Sequence, residues 1–471
     1  MSSPPLVDGL TAEEQAMFSS LCKLHEEKVR GNELRLKYYD GDVPVKHLGI
    51  TAPSKLKNKI DARVGWPAKA VDVLASRSVF EGFVSNGDED TLKRLNDSLI
   101  ANDFDLLYAQ GTTDELIHSC SFLTVTKGLE GEPGSIISCY SALDAAAEWD
   151  MRHHRIKYGM AIVDRDDKGE PCWYHLYTDT GIIQLQLSKG TWTMTRFAHA
   201  LGRPLMVPLV YRPSLRRPFG RSRITRAVMS ITDEAQRTVF NTEVASEFFT
   251  APQKFLLGAD PSQLGGMSKW DAYIGYIFAI SKDKDNMVPT FGQLPQMSFQ
   301  PLVEKLRSLA SRFASETNTP VSYLGVIHDN PSSAEAIYAS EEDLIIEAQR
   351  LNRFNGAALK TIGEMVLAAL LDKPLDCQEI TSLQIEPRFR NPAMPSMLSQ
   401  SDAIVKQAAV IPWIGQTEVA LEELGYTSEQ IRRMEHDRRY ADGQSLIRLL
   451  AEVEDDQISA QRLPERAGQG M

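Results

Sequence analysis

The run Gly220-Arg221-Ser222-Arg223-Ile224 opens like the turn that presents a nucleophilic serine, which would make Ser222 the attacking group of an acyl-transfer enzyme. The likeness stops at residue 224. A small glycine must follow the serine for the backbone to turn so sharply, and an isoleucine stands there with no strand pattern immediately before it. Ser222 is therefore expected to cap a helix. His153-His154 offers two imidazoles for a metal, but adjacent residues do not face one site on a helix, and no carboxylate follows four residues later. Asp166-Asp167 near Gly169 suggests a calcium loop, yet the EF-hand spacing is missing and a hairpin turn is the expectation. A nucleotide-driven motor needs a glycine-rich loop ending in Lys-Ser or Lys-Thr to cradle phosphates, and the chain has none. No catalytic residue, metal site or cofactor is expected.

The totals narrow the partners. The chain has 471 residues, 42% of them hydrophobic and 24% charged, enough for a large core in two to four structural regions. Its formal net charge of -12 argues against a broad basic face that grips nucleic acid. From residue 418 to residue 456 there are 11 acidic and 5 basic side chains, read as a solvated helical face. The five cysteines (Cys22, Cys120, Cys139, Cys172, Cys377) lie far apart, with no zinc-ligand spacing, and are expected to be small core residues of a reduced, cytosol-assembled protein. The first eight residues lack a signal-peptide pattern, and apolar runs such as residues 365–371 are too short to cross a bilayer, so no membrane partner is expected.

The elements that must position any site are mainly helical, and the expected fold class is α+β. Met17, Leu21, Leu24 and Val29 recur at helical spacing within residues 10–39, and Asp40-Gly41-Asp42 ends that helix. Helices are also predicted over 67–77, with Pro67 in the first turn, and over 90–100. Between residues 158 and 211 the period changes to two, which predicts an antiparallel meander packed on the preceding helices. Ile224, Val228, Ile231, Ala235 and Val239 then predict a helix over 221–247, about 40 Å long at roughly 1.5 Å per residue. Residues 251–297 are punctuated by Gly and Pro, with strand-like pieces at 254–257 and 276–280, and read as an insertion. A helix over 301–316 carries Leu302, Leu306, Leu309 and Phe313 on one face and stops at Thr319-Pro320. After a loop at 325–331, Ser332-Ser-Ala-Glu335 is a capping box opening the longest helix, with Ile337, Leu344, Ala348, Leu351, Leu359, Ile362 and Val366. The remainder reads as helical, with Thr427 or Ser428 as a cap.

That order of elements resembles the phage portal protein family, in particular the portals similar to that of the Bacillus phage SPP1. Tyr38-Tyr39-Asp40-Gly41-Asp42, His47-Leu48-Gly49-Ile50, Val64-Gly65-Trp66-Pro67 and Ala70-Val71-Asp72 look like the opening of portals from phages of actinobacteria. Phe219-Gly220-Arg221-Ser222-Arg223-Ile224 is similar to the segment that starts a long helix across many portals, and Leu424-Gly425-Tyr426-Thr427 resembles a recurring crown motif.

The resemblance implies a portal fold. Residues 1–215 would form an N-terminal wing with a small sheet, 216–250 and 298–319 two stem helices, and 251–297 a clip between them. Residues 320–333 would hold the tunnel loop, 334–394 a long wing helix with a return strand, and 395–471 the crown and tail. It further implies a ring, usually dodecameric, at one capsid vertex, through which double-stranded DNA enters and leaves. Its partners would be terminase, the major capsid and scaffolding proteins, and the head-tail connector. By the same likeness Val326, Ile327, His328, Asp329 and Asn330 line the DNA channel, and Arg221, Arg223, Arg226, Lys305, Arg307 and Arg312 are basic stem positions. Lys269, Trp270, Tyr273, Lys282 and Lys284 form the clip's partner surface. The alternative is a phage-encoded, metal-dependent enzyme that processes nucleic acid through its abundant carboxylates.

Overall fold

The computed structural model describes residues 5–46, 60–85, 87–128, 131–249, 254–257, 290–293, 298–325, 334–393, 397–426, 430–434, 436–441 and 443–444. The chain forms two compact units, Met1–Pro392 and Ala393–Met471.

The first unit begins with helix α1, Ala12–Asp40, opened by a capping box between Thr11 and Glu14 and closed by Gly41 at φ +70°. Phe18 and Leu21 on α1 pack with Met160, Ile162, Tyr174, Leu176, Ile183 and Leu185, so the helix covers one face of a sheet. Helix α2, Trp66–Ala75, has Pro67 in its first turn and buries Ala70, Val71 and Leu74. Strand β1, Phe80–Val84, leads to α3, Glu89–Ala101, where Asp88 accepts a hydrogen bond from Thr91 N, and to α4, Phe104–His118. Helix α4 has buried residues around much of its circumference, so its sequence shows no apolar stripe, which is why periodicity passes over it.

Two sheets follow. Strands β4 (Ala145–Asp150), β5 (Arg155–Arg165), β6 (Pro171–Tyr177), β7 (Gly181–Ser188) and β8 (Thr191–Ala198) form an antiparallel meander in that order. Strands β2 (Cys120–Lys127), β3 (Ser135–Ser141) and β9 (Met206–Val210) form a second sheet with β2 in the middle. The single meander expected over residues 158–211 is thus corrected, since β9 leaves it to pair with β2, Leu123 opposite Val207. Cys120 to Val125 of β2 are all buried, so that strand reads as a continuous run without alternation. Asp166 accepts hydrogen bonds from Lys168 N and Glu170 N, with Gly169 at φ +80°, which makes that acidic pair a hairpin turn as expected. His153 and His154 also lie in a turn, where His153 Nδ1 meets Asp150 Oδ2 at 2.6 Å.

Helix α5 is Arg226–Phe249, starting five residues later than the pattern predicts. Residues 221–224 have other obligations: Arg221 N donates to Tyr211 O at 2.9 Å, Arg223 N to Leu116 O at 2.8 Å and Ile224 N to the Ser222 hydroxyl at 2.9 Å. The Ser222 hydroxyl itself donates to Ile117 O at 2.5 Å, so Ser222 tethers a loop and does not cap the helix. Thr225 opens α5, its hydroxyl accepting from Val228 N at 3.3 Å. In the insertion, β10 (Lys254–Leu257) pairs with β11 (Thr290–Gln293), and the strand expected at 276–280 lies outside the described residues. Helix α6, Gln300–Thr317, ends at Asn318 in the left-handed conformation.

Helix α7, Ala334–Leu371, is the longest of the described helices. Its capping box at 332–335 lies partly outside the described residues. The stretch Ala339–Leu371 is, by length and composition, apolar enough to cross a membrane, which the short run at 365–371 does not reveal. Leu344, Ala348 and Leu351 nonetheless share a core with α5 and α6 residues, and Leu359, Ile362, Met365 and Val366 share another with Phe80, Phe83 and Leu123. Helix α8, Gln378–Leu383, precedes β12, Glu386–Phe389, which pairs antiparallel with β1. All five cysteines are free, and only Cys120 is fully buried, the other four being half-buried.

The second unit contains α9, Met397–Val410, and α10, Glu418–Glu423, the latter capped by Thr417. Ile404, Ala420 and Ile431 are buried there, while Val405, Val410, Trp413 and Val419 are exposed. Thr427 and Ser428, the expected caps, lie outside the described residues.

Candidate functional site

Among the described residues, a dense set of charged contacts forms a joint around Arg223. The loop from β9 to α5 carries this arginine inward, where 4% of it is exposed. Its guanidinium donates to Ala70 O of α2 at 2.8 Å, to the Tyr211 hydroxyl at 2.8 Å and to Thr317 O at the end of α6, and meets Glu347 Oε2 of α7 at 2.9 Å. Glu347 also takes hydrogen bonds from Tyr211 Oη, from Arg212 at 2.5 Å and from Asn318 Nδ2 at 3.3 Å. Burial pushes the Glu347 carboxyl up, but Arg223, Tyr211 and Arg212 outweigh it and hold the group below its ordinary value. Burial alone would lower Arg223, and Tyr211 and Glu347 reverse that and raise it. Tyr211 is pushed up to about 12, chiefly by burial. The pair therefore stays ionised inside the protein and fastens α2, the loop, α6 and α7 to one another.

Helices α5 and α6 pack on each other. Val228, Ile231 and Ala235 of α5 share a core with Leu309, Ala310, Phe313 and Ala314 of α6, and the Trp66 ring lies 5.5 Å from that of Phe313. Arg312 on α6 reaches Glu234 on α5 at 3.4 Å. Lys46 Nζ meets Asp233 of α5 at 2.6 Å, and the Tyr38 hydroxyl donates to the same carboxylate at 2.8 Å, which joins the end of α1 to α5. Tyr39 donates to Asp72 at 2.8 Å and so joins α1 to α2. The Tyr-Tyr and Val-Asp pairs near the start of the sequence thus hold helices together.

Of the six basic positions assigned to the helix pair, Arg221, Arg226, Lys305, Arg307 and Arg312 are exposed. Arg223 corrects that expectation: it is buried, its guanidinium is held by Glu347 in the joint, and it offers nothing to an outside partner. Val326, Ile327, His328, Asp329 and Asn330 lie outside the described residues, as do Lys269, Trp270, Tyr273, Lys282 and Lys284.

Sequence reasoning passed over Glu115 and His118 on α4. Glu115 is fully buried, accepts a hydrogen bond from Asn355 Nδ2 at 2.8 Å, and is pushed up to about 8 by burial. His118, 1% exposed, falls to about 4 through burial and the nearby Arg35 charge, and neither ring nitrogen has a hydrogen-bond partner among the described residues. No sequence signal marks either of them as buried. Among the described residues no cluster of His, Cys, Asp and Glu is arranged to hold a metal.

No model of a known protein family matches the chain. The portal protein of Mycobacterium phage L5 is 28% identical over 418 residues, which is 85% of this chain and 84% of the relative. That of Mycobacterium phage D29 is 28% identical over 415 residues, with the same coverage of both chains. Among solved structures, a chain of the virion of a native gene transfer agent particle is similar with a TM-score of 0.44 and 14% identity, covering 82% of this chain and 89% of that one. A chain of the neck of the native particle computed with C12 symmetry gives 0.40 and 14%, covering 81% and 94%.

Proposed function

We propose that this chain, similar over 85% of its length to the portal proteins of two mycobacteriophages, is the portal subunit of a tailed bacteriophage. In this reading copies of the chain form a ring, expected to be a dodecamer, at one capsid vertex of the virion, after assembly in the host cytoplasm. The ring is the conduit for genome packaging and ejection and the docking site for terminase and later for the head-tail connector. It performs no catalysis and needs no cofactor. The observation that carries the reading is the length of the match: likeness over 85% of this chain and 84% of the relative involves the architecture as a whole.

Within that reading α5 and α6 are the stem, residues 251–297 with β10 and β11 are the clip, and residues 326–330 are the channel loop. Residues from 395 onward are the crown. The charge balance supports a conduit in physical terms. Every fixed phosphate contact adds affinity through counterion release and would resist movement of the cargo, and a chain of net charge -12 keeps such contacts few.

The test is particle size. Mass photometry of the purified protein at micromolar concentration should give particles many-fold heavier than the 52.5 kDa subunit, and electron microscopy should show rings. A monomer at every salt and protein concentration would overturn the proposal.

A further inference from the structure

Between Tyr211 and Arg226 the chain places six arginines (Arg212, Arg216, Arg217, Arg221, Arg223 and Arg226) and no Asp, Glu or Lys. In a protein of net charge -12 that is a local reversal of sign. Arg212 and Arg223 both pair with Glu347. Arg216, Arg217, Arg221 and Arg226 are exposed, and none has a carboxylate partner among the described residues.

The loop that presents them is fixed. Ser214 N donates to Arg217 O at 3.1 Å and Arg217 N to Ser214 O at 2.8 Å, while Gly220 N donates to Arg217 O and Arg221 N to Tyr211 O, both at 2.9 Å. Gly220 sits at φ +69°, and a Cβ there would lie 2.1 Å from Tyr211 O, so only glycine closes the loop. Phe219 anchors its inner side, 5.9 Å from the Phe122 ring and 5.7 Å from that of Trp149. Binding through these arginines therefore requires little further ordering of the backbone.

A guanidinium fork fits phosphate and carboxylate alike. The four exposed arginines, with no acidic side chain between them in the sequence, present a single sign of charge, which complements a polyanion. Leu215, 86% exposed at the loop tip, is the one feature a protein partner would use. We infer that residues 214–221, with Arg226, form a loop that contacts the phosphates of duplex DNA. The inference rests on the portal reading, in which duplex DNA is the cargo.

The test is fluorescence anisotropy of the full chain with a labelled duplex of about 30 base pairs, titrated with salt, comparing wild type with the triple variant Arg216→Gln, Arg217→Gln, Arg221→Gln. Wild type should bind, and the variant should bind at least about tenfold more weakly, with a log-log salt slope reduced by about 2 to 3. A control that removes three charges elsewhere, Arg152→Gln, Lys168→Gln, Lys189→Gln, should match wild type. The inference is overturned if wild type does not bind the duplex or if the loop variant binds like wild type. It is equally overturned if polyglutamate of equal total charge competes as well as DNA, which would assign the loop to an acidic protein. Mass photometry on the same samples separates the two readings. Rings without loop-dependent binding reject the loop alone, and loop-dependent binding by monomers rejects the ring alone.

Discussion

At the scale of single residues, burial decides which charges matter. Glu115 and His118 lie on one helix, both shifted by burial but with opposite consequences for pH. Glu115 titrates near its ordinary 4.5 when unfolded and near 8 when folded, so the folded state holds a proton that the unfolded state has lost between those values. Its contribution is complete below about 4.5 and declines as pH rises to about 8. His118 moves from 6.5 to about 4, so the unfolded state holds the extra proton there and stability falls as pH drops from 6.5 to 4. The two oppose each other between about 4.5 and 6.5, and from 6.5 to 8 Glu115 acts alone. Urea unfolding should show stability falling over that upper window by up to about 1.4 kcal/mol per pH unit, and Glu115→Gln should flatten it. An unchanged slope in that variant would show that another group is responsible. Neither residue is legible as special in the sequence, because sequence gives the charge but not the depth at which it sits.

At the scale of elements, the Arg223 joint shows which parts of the fold could be read in advance. The stripes of α1, α2, α5, α6 and α7 are legible because each helix buries one face, as Leu309 and Phe313 of α6 do against Val228 and Ile231 of α5. Helix α4 and strand β2 are not, because burial around them erases the period. The start of α5 was misplaced for a different reason: residues 221–224 are helix-compatible in type but are held by the backbone of Tyr211 and Leu116, which lie far away in sequence or across a loop. The joint itself needs Ala70, Tyr211, Thr317 and Glu347 to converge, and no local pattern encodes that. Arg223→Met keeps most of the side-chain bulk and leaves Glu347 with Arg212 as its only cation. It should lower stability by about 3 to 5 kcal/mol, read as a lower urea midpoint at unchanged slope. A loss under about 1 kcal/mol would mean that Arg212 and Tyr211 suffice to hold the carboxylate.

At the scale of the whole molecule, the proposed conduit places a demand on the channel loop. Residues 326–330 contain Asp329 and no Lys or Arg, and a ring would repeat that composition in every copy. Asp329→Lys would replace each acidic side chain by a basic one and add attraction for phosphate around the whole circumference. Packaging of DNA by rings of this variant should be slower, in a way that added salt relieves. Wild-type packaging rate and packaged length in rings that assemble normally would remove this loop from the DNA path.

The pairing of β1 with β12 bears on how the chain is made. Phe80 lies opposite Phe389, Arg390 Nε donates to Glu81 at 3.0 Å, and an Arg77 guanidinium nitrogen donates to Pro392 O at 2.9 Å. Phe80 and Phe83, which occupy the middle of a core, thus wait for a strand synthesised about three hundred residues later. During translation the early helices emerge with that core open, and the first unit closes only when nearly all of it has left the ribosome. A fragment ending before residue 386 therefore lacks the strand that seals this core.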